Sequence, residues 1–266
     1  MGAPRSPTLI RIVIVDTSRL PFPLQEATVA LIDSIEQVAG KEIALREGHF
    51  NRYDELAAAQ GGFDDWVPHV TVNADRRSEF DEHGLVHELL HIQRFLDGAF
   101  ALETPETVAG IRGGDADVRK AFANDVTNQI EHVAIFPQLR KMSFDPDSLA
   151  DDWKRRQIHS LANDKAEKFG SLDKTWLSIK IGISGFLGKS TEIQDEYRSA
   201  LSRVMPDAIS AGDEIAQLIL RLGVEKQYNL KRLYQVMLRT AGLPKRALLL
   251  KQFDFKTHTE RREAIP

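Results

Sequence analysis

The chain has 266 residues, of which 42% are hydrophobic and 28% charged, and its formal net charge is −4. These proportions are ordinary for a globular protein and exclude a disordered or fibrous chain. The absence of cysteine excludes disulfides, thiolate metal ligands and a cysteine nucleophile. No window approaches the roughly 18 uncharged apolar residues of a membrane span, and the N-terminus lacks the apolar core of a signal peptide. We therefore expect a cytoplasmic protein with no membrane partner.

Three segments in the first third of the chain predict β-strands. Residues 9–15 (LIRIVIV) are β-branched and apolar, which is typical of a buried strand. Residues 43–50 predict a second strand, and residues 66–73 (WVPHVTVN) alternate between apolar and polar side chains. Because proline cannot donate a hydrogen bond to a neighbouring strand, Pro68 predicts that this third strand lies at an edge of the sheet.

Two helices are predicted in the same part of the chain. The first covers residues 24–39 and is ended by Gly40. Its apolar stripe consists of Ala27, Leu31, Ile35 and Val38. The second follows a capping box at residues 78–81 and runs to Asp97, with Gly98 as its stop signal.

The remainder of the chain predicts helices almost throughout. Residues 101–115 are loop-like, and a long helix begins near residue 117 and is closed by Pro137. Its buried stripe consists of Val118, Phe122, Val126, Ile130 and Val133. Further helices are predicted near residues 147–168, 190–204, 207–222 and 227–241. These signals predict an α+β fold, with a boundary near residue 142 before a mostly helical C-terminal region.

The sequence His87-Glu88-Leu89-Leu90-His91 lies inside the second predicted helix. Residues four apart on a helix differ by about 40° and 6 Å, so both imidazoles lean over one point. Two neutral imidazole nitrogens at about 2.0–2.1 Å suit Zn²⁺. Glu88 lies beside the pair, where it can reach a zinc-bound water as general base without ligating the metal. The spacing therefore predicts a zinc cofactor and metal-assisted hydrolysis.

This HExxH motif, preceded by an extended segment, resembles the zincin metallopeptidases over roughly residues 66–136. The resemblance implies a small sheet whose edge strand, here residues 66–73, holds a peptide substrate above the active-site helix. It also implies that His87 and His91 are zinc ligands and that Glu88 is the catalytic base of a peptidase. Residues 1–142 would then be the catalytic region, and the helices of residues 143–266 would close the cleft.

A catalytic zinc needs a third protein ligand. His83 lies about 12 Å from His91 along the helix axis, which is too far for one ion, and Asp97 is interpreted as the helix end. Glu131, on the following helix, resembles the third ligand of the gluzincin branch. It shares a polar flank with Asn124, Thr127 and Asn128. The neighbouring His132 stays open as an alternative.

Peptide hydrolysis also needs a hydrogen-bond donor for the developing oxyanion. His132, Asn128 and His159 are the candidates for this donor or for side chains that support the ligands. Other side chains in the helical half that could donate are Tyr197, Tyr228 and Tyr234. The sequence does not select among them.

Two other functions stay open beside the peptidase, whose partner would be a peptide or protein substrate. A zincin-like fold could bind metal as a regulatory module, although the intact Glu88 argues for catalysis. From Arg221 to the end the chain has 11 basic and 4 acidic residues, which raises nucleic acid as a partner. Residues 175–190 (TWLSIKIGISGFLGKS) combine a strand-like run with a final Gly-Lys-Ser triplet and are similar to a phosphate-binding loop, but Gly182 lies one residue too far upstream. We interpret that segment as a loop between helices.

Overall fold

The computed structural model describes residues 11–12, 20, 22–50, 57–104, 113–162, 171–243 and 248–265. Its described part is a mixed α+β fold, as predicted. The chain divides into two compact units. The first consists of Met1–Asp97 with Asp254–Thr259, and the second of Gly98–Phe253 with Glu260–Pro266. The boundary predicted near residue 142 falls inside the second unit.

The first unit contains a four-stranded sheet in the order β1-β2-β4-β3. Its strands are β1 (Arg11–Ile12), β2 (Ala44–Gly48), β3 (Ala59–Asp64) and β4 (Val67–Asn73). The central pair, β2 and β4, is parallel, whereas β1 and β3 pair antiparallel with their neighbours. The strands predicted at residues 43–50 and 66–73 are therefore confirmed. Most of the strand predicted at residues 9–15 lies outside the described residues.

The edge strand is β3 rather than β4, so the prediction that residues 66–73 form an edge is wrong. Pro68 lies opposite Phe63 of β3, whereas the ladder with β2 begins one residue later, at His69. The proline therefore removes no hydrogen bond from the ladder with β2. This position explains how proline fits in an interior strand.

The first predicted helix is confirmed as α1 (Glu26–Ala39). It ends at Gly40, whose φ of 64° is the left-handed conformation that favours glycine. Its buried residues are Thr28, Leu31, Ile32 and Ile35. The predicted stripe is wrong at its two ends, because Ala27 is exposed and Val38 is 58% exposed.

The second helix, α2 (Glu82–Leu96), carries the HExxH motif. The Asp81 side chain caps it by accepting a hydrogen bond of 2.8 Å from the Gly84 amide. The predicted capping box is therefore wrong, since the preceding residues form a 3₁₀ helix (Ala74–Glu79) instead. One face of α2 is buried and consists of Leu85, Val86, Leu89, Leu90, His91 and Ile92. This apolar face fixes the helix and leaves His87 and Glu88 at the border of the core.

In its described residues, the second unit combines six helices with a three-stranded sheet in the order β5-β6-β7. The helices are α3 (Gly113–Lys141), α4 (Pro146–Leu161), α5 (Ser171–Ser184), α6 (Thr191–Val204), α7 (Asp207–Leu222) and α8 (Gln227–Thr240). The strands are β5 (Phe100–Glu103), β6 (Leu249–Asp254) and β7 (Thr259–Ala264). The four helices predicted after residue 142 are confirmed as α4, α6, α7 and α8. The first of them ends at Leu161, and residues 163–168 of the predicted helix lie outside the described residues. None of the helices in the described ranges has the length and apolar character needed to cross a membrane.

Three predictions for the second unit are wrong. The loop predicted at residues 101–115 begins with β5, and α3 continues through Pro137 to Lys141. The run of β-branched residues after Thr175, interpreted as part of a loop, is the helix α5. Packing against α7 overrides the weak helix propensity of that run.

Helices α5 and α7 approach closely because a glycine stands on each. A Cβ on Gly182 would lie 2.5 Å from Cγ2 of Ile215 and 2.8 Å from the Gly212 carbonyl oxygen. A Cβ on Gly212 would likewise collide with the Ile181 side chain. The two glycines therefore let the helix backbones come into direct contact with buried isoleucines.

Candidate metal centre

His87 and His91 lie one turn apart on α2 and face each other. Their Nε2 atoms are 3.1 Å apart, and their ring centroids 4.9 Å apart. Two ligands of a tetrahedral zinc at 2.0–2.1 Å from the metal would be separated by about 3.3 Å. The apolar face of α2 thus holds the two imidazoles at a spacing that a single metal ion can bridge.

His132 on α3 joins this pair. One ligand nitrogen from each of His87, His91 and His132 lies within 4.8 Å of the other two, close enough to bind one metal ion. Burial lowers the pKa of His132 to about 4. Its ring is therefore neutral near pH ~7 and can offer a lone pair to a metal.

Glu131, which the sequence favours as third ligand, is fully buried on α3. It does not belong to the three-histidine group, which is the arrangement with metal-ligand spacing found among the described residues. The polar flank predicted around it is only partly solvated: Thr127 is buried, whereas Asn124 and Asn128 are exposed. The ligand role of Glu131 stays a prediction.

Glu88 is held by the edge strand β3. Its Oε2 accepts a hydrogen bond of 2.6 Å from the Gly61 amide, and its Oε1 lies 3.9 Å from Nδ1 of His87. Desolvation raises the pKa of Glu88 to about 7, and the Gly61 hydrogen bond opposes that rise. A carboxyl group with a pKa near neutrality can both accept and return a proton.

Gly61 is a functional position that the sequence interpretation missed. A Cβ at this residue would lie 2.8 Å from the Glu88 carbonyl oxygen and 3.3 Å from its Oε2. Glycine is therefore required if β3 is to approach α2 closely enough to bond the carboxylate. The signal was present in the sequence, because consecutive glycines at residues 61–62 in a strand indicate a close backbone approach.

The other predicted site residues all lie in the second unit. Asn128 on α3 and His159 on α4 are exposed, and Tyr197 and Tyr234 are buried in the second unit. Tyr228 is 74% exposed on α8. None of these residues belongs to the three-histidine group of the described chain. Their roles as oxyanion donors or ligand supports stay predictions.

The triplet at residues 188–190 lies between α5 and α6, as the sequence predicts. The Asp151 Oδ2 accepts hydrogen bonds from the amides of Lys189 and Ser190, at 3.2 and 3.1 Å. The Ser190 side chain then caps α6 by accepting a bond from the Ile193 amide. A carboxylate of the chain itself therefore occupies the position at which a phosphate-binding loop would hold its ligand.

Three basic residues of the C-terminal segment pair with nearby carboxylates in the described part of the chain. Lys231 pairs with Glu263 at 2.6 Å, and Lys251 pairs with Glu260 at 3.0 Å. Arg262 bonds Glu103 at 2.7 Å. Glu260 and Glu263 already count among the acidic residues of this segment, so of these three carboxylates Glu103 alone lowers its positive excess, and nucleic acid stays a predicted partner.

The centre combines three imidazoles with one carboxylate of near-neutral pKa. Chemically, such a set can bind a divalent transition metal and move a proton beside it. Two of the imidazoles and the carboxylate come from α2, and the third imidazole comes from α3. No protein-family model, no curated protein and no solved structure matches this chain.

Proposed function

We propose that this protein is a zinc-dependent metallopeptidase of the zincin type, a hydrolase that cleaves peptide bonds. The observation that carries the proposal is the group of His87, His91 and His132, with the Glu88 carboxylate beside His87. A helix-borne His-Glu-x-x-His pair with a third ligand and a free carboxylate is the set that metal-assisted peptide hydrolysis requires.

The donor set fits zinc. Three neutral imidazoles are a ligand set of catalytic zinc sites, in which the fourth position is left to water or substrate. The lowered pKa of His132 keeps its ring in the form that binds a metal. Because imidazole also suits copper, iron and nickel, the measured metal content has to identify the ion.

Each group then has a defined chemical role. A zinc ion held by His87, His91 and His132 would supply Lewis-acid chemistry that polarises a carbonyl group. The Glu88 carboxylate takes a proton from the attacking water and returns it to the leaving amine nitrogen. Since the Gly61 amide holds Oε2, we assign the proton transfer to Oε1.

The strand β3 offers a place for an extended peptide. Among the described strands it pairs only with β4, so no described strand pairs with its other side. The Gly61 amide points away from β4, toward Glu88, and alternation directs the amides of Ala59 and Phe63 the same way. A peptide that adds to this edge would therefore run beside the general base.

We propose His132 rather than Glu131 as the third ligand. The two residues are neighbours about 100° apart on α3, so only one can comfortably face the pair on α2. The nitrogen of His132 has the spacing that a shared ion needs. This choice favours a three-histidine site over the gluzincin arrangement that the sequence resembles.

Two measurements test the proposal. Elemental analysis of the purified protein should find about one zinc per chain, the stoichiometry of a single catalytic site. Cleavage of a reduced, unfolded protein should fall about 10²–10⁴-fold in Glu88→Gln, with the zinc retained. Glu79→Gln is the matched control, since it removes an exposed carboxylate just before α2 and should leave cleavage unchanged.

The outcomes separate the alternatives. If no metal binds even after zinc is supplied, the HExxH sequence is not a metal site in this protein. If zinc binds but neither the unaltered protein nor any variant cleaves peptides, the chain is a metal-binding module without peptidase activity. Undiminished cleavage by Glu88→Gln would remove the proposed mechanism.

A further inference from the structure

Four aromatic side chains form a cluster in the first unit. The ring centroids of Phe63 and Phe255 are 4.5 Å apart, and those of Trp66 and Phe255 are 5.3 Å apart in an edge-to-face arrangement. His258 stacks on Trp66 at 5.4 Å. We call these residues, Phe63, Trp66, Phe255 and His258, the aromatic cluster. The first three are half-buried, so part of each ring is in contact with solvent.

The cluster is built on a strained turn. Asp65 and Trp66, which connect β3 to β4, have φ values of 47° and 64°. Two-residue hairpin turns of this kind favour Asn-Gly or Gly-Gly, because residues other than glycine, asparagine and aspartate rarely adopt the left-handed backbone conformation. A tryptophan there is disfavoured by local conformation, and such strain is typical of functional sites. The backbone thus holds an indole where glycine would be the easier residue.

The aromatic cluster lies close to Glu88. Successive side chains of a strand alternate between its faces. Phe63 therefore projects from the same face as the position at Gly61 where a Cβ would meet Glu88. Two residues along a strand span about 6.7 Å. Phe63 is therefore about 6.7 Å along the strand from Gly61, whose amide bonds the Glu88 carboxylate.

We propose that the aromatic cluster is a subsite that binds one large apolar side chain, aromatic or long aliphatic, of an extended peptide paired with β3. This inference rests on the proposed peptidase function and adds the substrate class. The occupant is an extended peptide, because no described strand pairs with the outer side of β3, and the Gly61 amide on that side bonds the candidate base. Every second side chain of such a peptide points to one face, so a single side chain meets the cluster.

Apolar burial sets the size of the expected preference. Transfer of a leucine or phenylalanine side chain from water to an apolar surface favours binding by at least about 10-fold over alanine. A carboxylate at the same place would lose its hydration against ring faces that carry negative partial charge. The cluster should therefore select for apolar side chains at one position relative to the cleaved bond.

The strained turn provides variants that separate function from folding. Trp66→Gly removes the indole while placing glycine at a φ that glycine adopts readily, so the backbone of the turn is relieved. Asp65→Gly is the matched control, because it relieves the same turn and leaves all four rings in place. Phe255→Ala removes a second ring without changing the turn, and melting temperatures report whether each variant is folded.

The experiment measures binding and cleavage separately. The probe is a synthetic library of Ser/Ala peptides that carry a single Phe, Leu, Ala or Asp at each position. Binding is measured on zinc-loaded Glu88→Gln protein, which should bind peptides without cleaving them. In this background, and with Asp65→Gly added, we expect Phe and Leu peptides to bind at least about 10-fold more tightly than Ala peptides. With Trp66→Gly or Phe255→Ala added, the preference should fall to within about 2-fold.

Failure of the two proposals would be distinguishable. An equal preference in all folded variants, or no preference in any, would overturn the aromatic subsite whether or not the protein cleaves peptides. A cluster-dependent preference without cleavage by the protein that retains Glu88 would support the subsite and overturn the peptidase function. Cleavage whose site preference does not change in Trp66→Gly and Phe255→Ala would leave the peptidase standing and reject the subsite.

Discussion

Each of the two units contains a close contact that depends on glycine, and these two contacts differ in what they bring together. In the first unit, Gly61 of β3 lets a backbone amide reach the Glu88 carboxylate. In the second unit, Gly182 on α5 and Gly212 on α7 let two helix backbones meet across isoleucine side chains. The first contact orients a polar group, whereas the second only increases packing density.

This difference shows that a glycine at a close contact can serve either catalysis or stability. The atoms that the glycine contacts indicate which of the two roles it has. The Glu88 carboxylate oxygen lies 2.6 Å from the Gly61 amide at the border of the core, and placing this charged group there costs desolvation energy. Apolar carbons around Gly182 and Gly212 carry no such cost. We therefore expect substitutions at the first contact to affect activity and those at the second to affect the free energy of unfolding.

The largest effect is expected where an imidazole is removed from the candidate centre without touching either glycine contact. His132→Ala should weaken zinc binding at least about 100-fold, because loss of even a residue that supports a ligand costs 10–100-fold. Glu131→Ala is the control on the neighbouring residue and should change zinc affinity only a few-fold. A competitive zinc titration of both variants measures this, and the opposite ranking would restore Glu131 as the ligand.

Gly61→Ala should convert the polar contact into a clash. The new methyl group pushes β3 from α2 and moves the Glu88 carboxylate, and a displacement of about 1 Å costs roughly 100-fold in rate. We expect kcat to fall by that factor while zinc content is unchanged. Gly62→Ala tests the next residue, where a Cβ would meet only the His69 ring, at 3.3 Å. Equal losses of activity in the two variants would contradict the positioning role of Gly61.

Gly182→Ala should act on stability alone. Its methyl group would overpack the contact with Ile215, so the free energy of unfolding should fall by about 1–3 kcal/mol, although alanine is the better helix former by about 1 kcal/mol. Urea unfolding measures the change. Gly185→Ala, at an exposed position where a Cβ has one neighbour at 4.0 Å, should stay within about 0.5 kcal/mol of the unaltered protein.

The smallest effect concerns an ion pair in the helical unit. The Arg140 guanidinium bonds the buried Asp147 carboxylate at 2.8 and 2.6 Å and holds its pKa below the usual value. A lowered folded-state pKa gives stability that is complete above the unfolded pKa and is lost as the pH falls through the folded pKa. Asp147→Asn should therefore flatten the loss of stability below pH ~4, by about 0.5–1 kcal/mol. Unfolding curves at several acidic pH values measure it, and an unchanged slope would contradict the assignment.

The sequence predicts the α+β class and most helix positions because these depend on local periodicity and stop signals. It fails where neighbours decide the structure. The strand β3 contains Gly61 and Gly62 and few β-branched residues, so nothing local marks it as the edge that displaces β4 to the interior. The helix α5 is rich in β-branched residues that favour strands in isolation, and only its contact with α7 explains its conformation.

The candidate site was predicted in part, for the same reason. The i, i+4 spacing of His87 and His91 is a local property of one helix, and the structure brings their nitrogens together. The third ligand depends on which side of α3 is buried. The sequence predicts one buried apolar stripe around Ile130. Glu131 is also fully buried, so the buried surface of α3 is wider than this stripe. Because the buried surface of α3 is wide, the pattern of polar and apolar residues along the helix does not select between Glu131 and His132 as the ligand.

The loop before α6 carries its own anion. Asp151 is tethered by α4 with its carboxylate against the amides of Lys189 and Ser190, where a free phosphate would have to compete with it. A covalently attached group acts at an effective concentration in the millimolar range or higher, before any loss of entropy on binding is counted. Lys154, buried 3.8 Å away, balances the charge of this carboxylate. A sequence similar to a phosphate-binding loop can thus precede a helix whose positive N-terminal dipole already faces a carboxylate of the same chain.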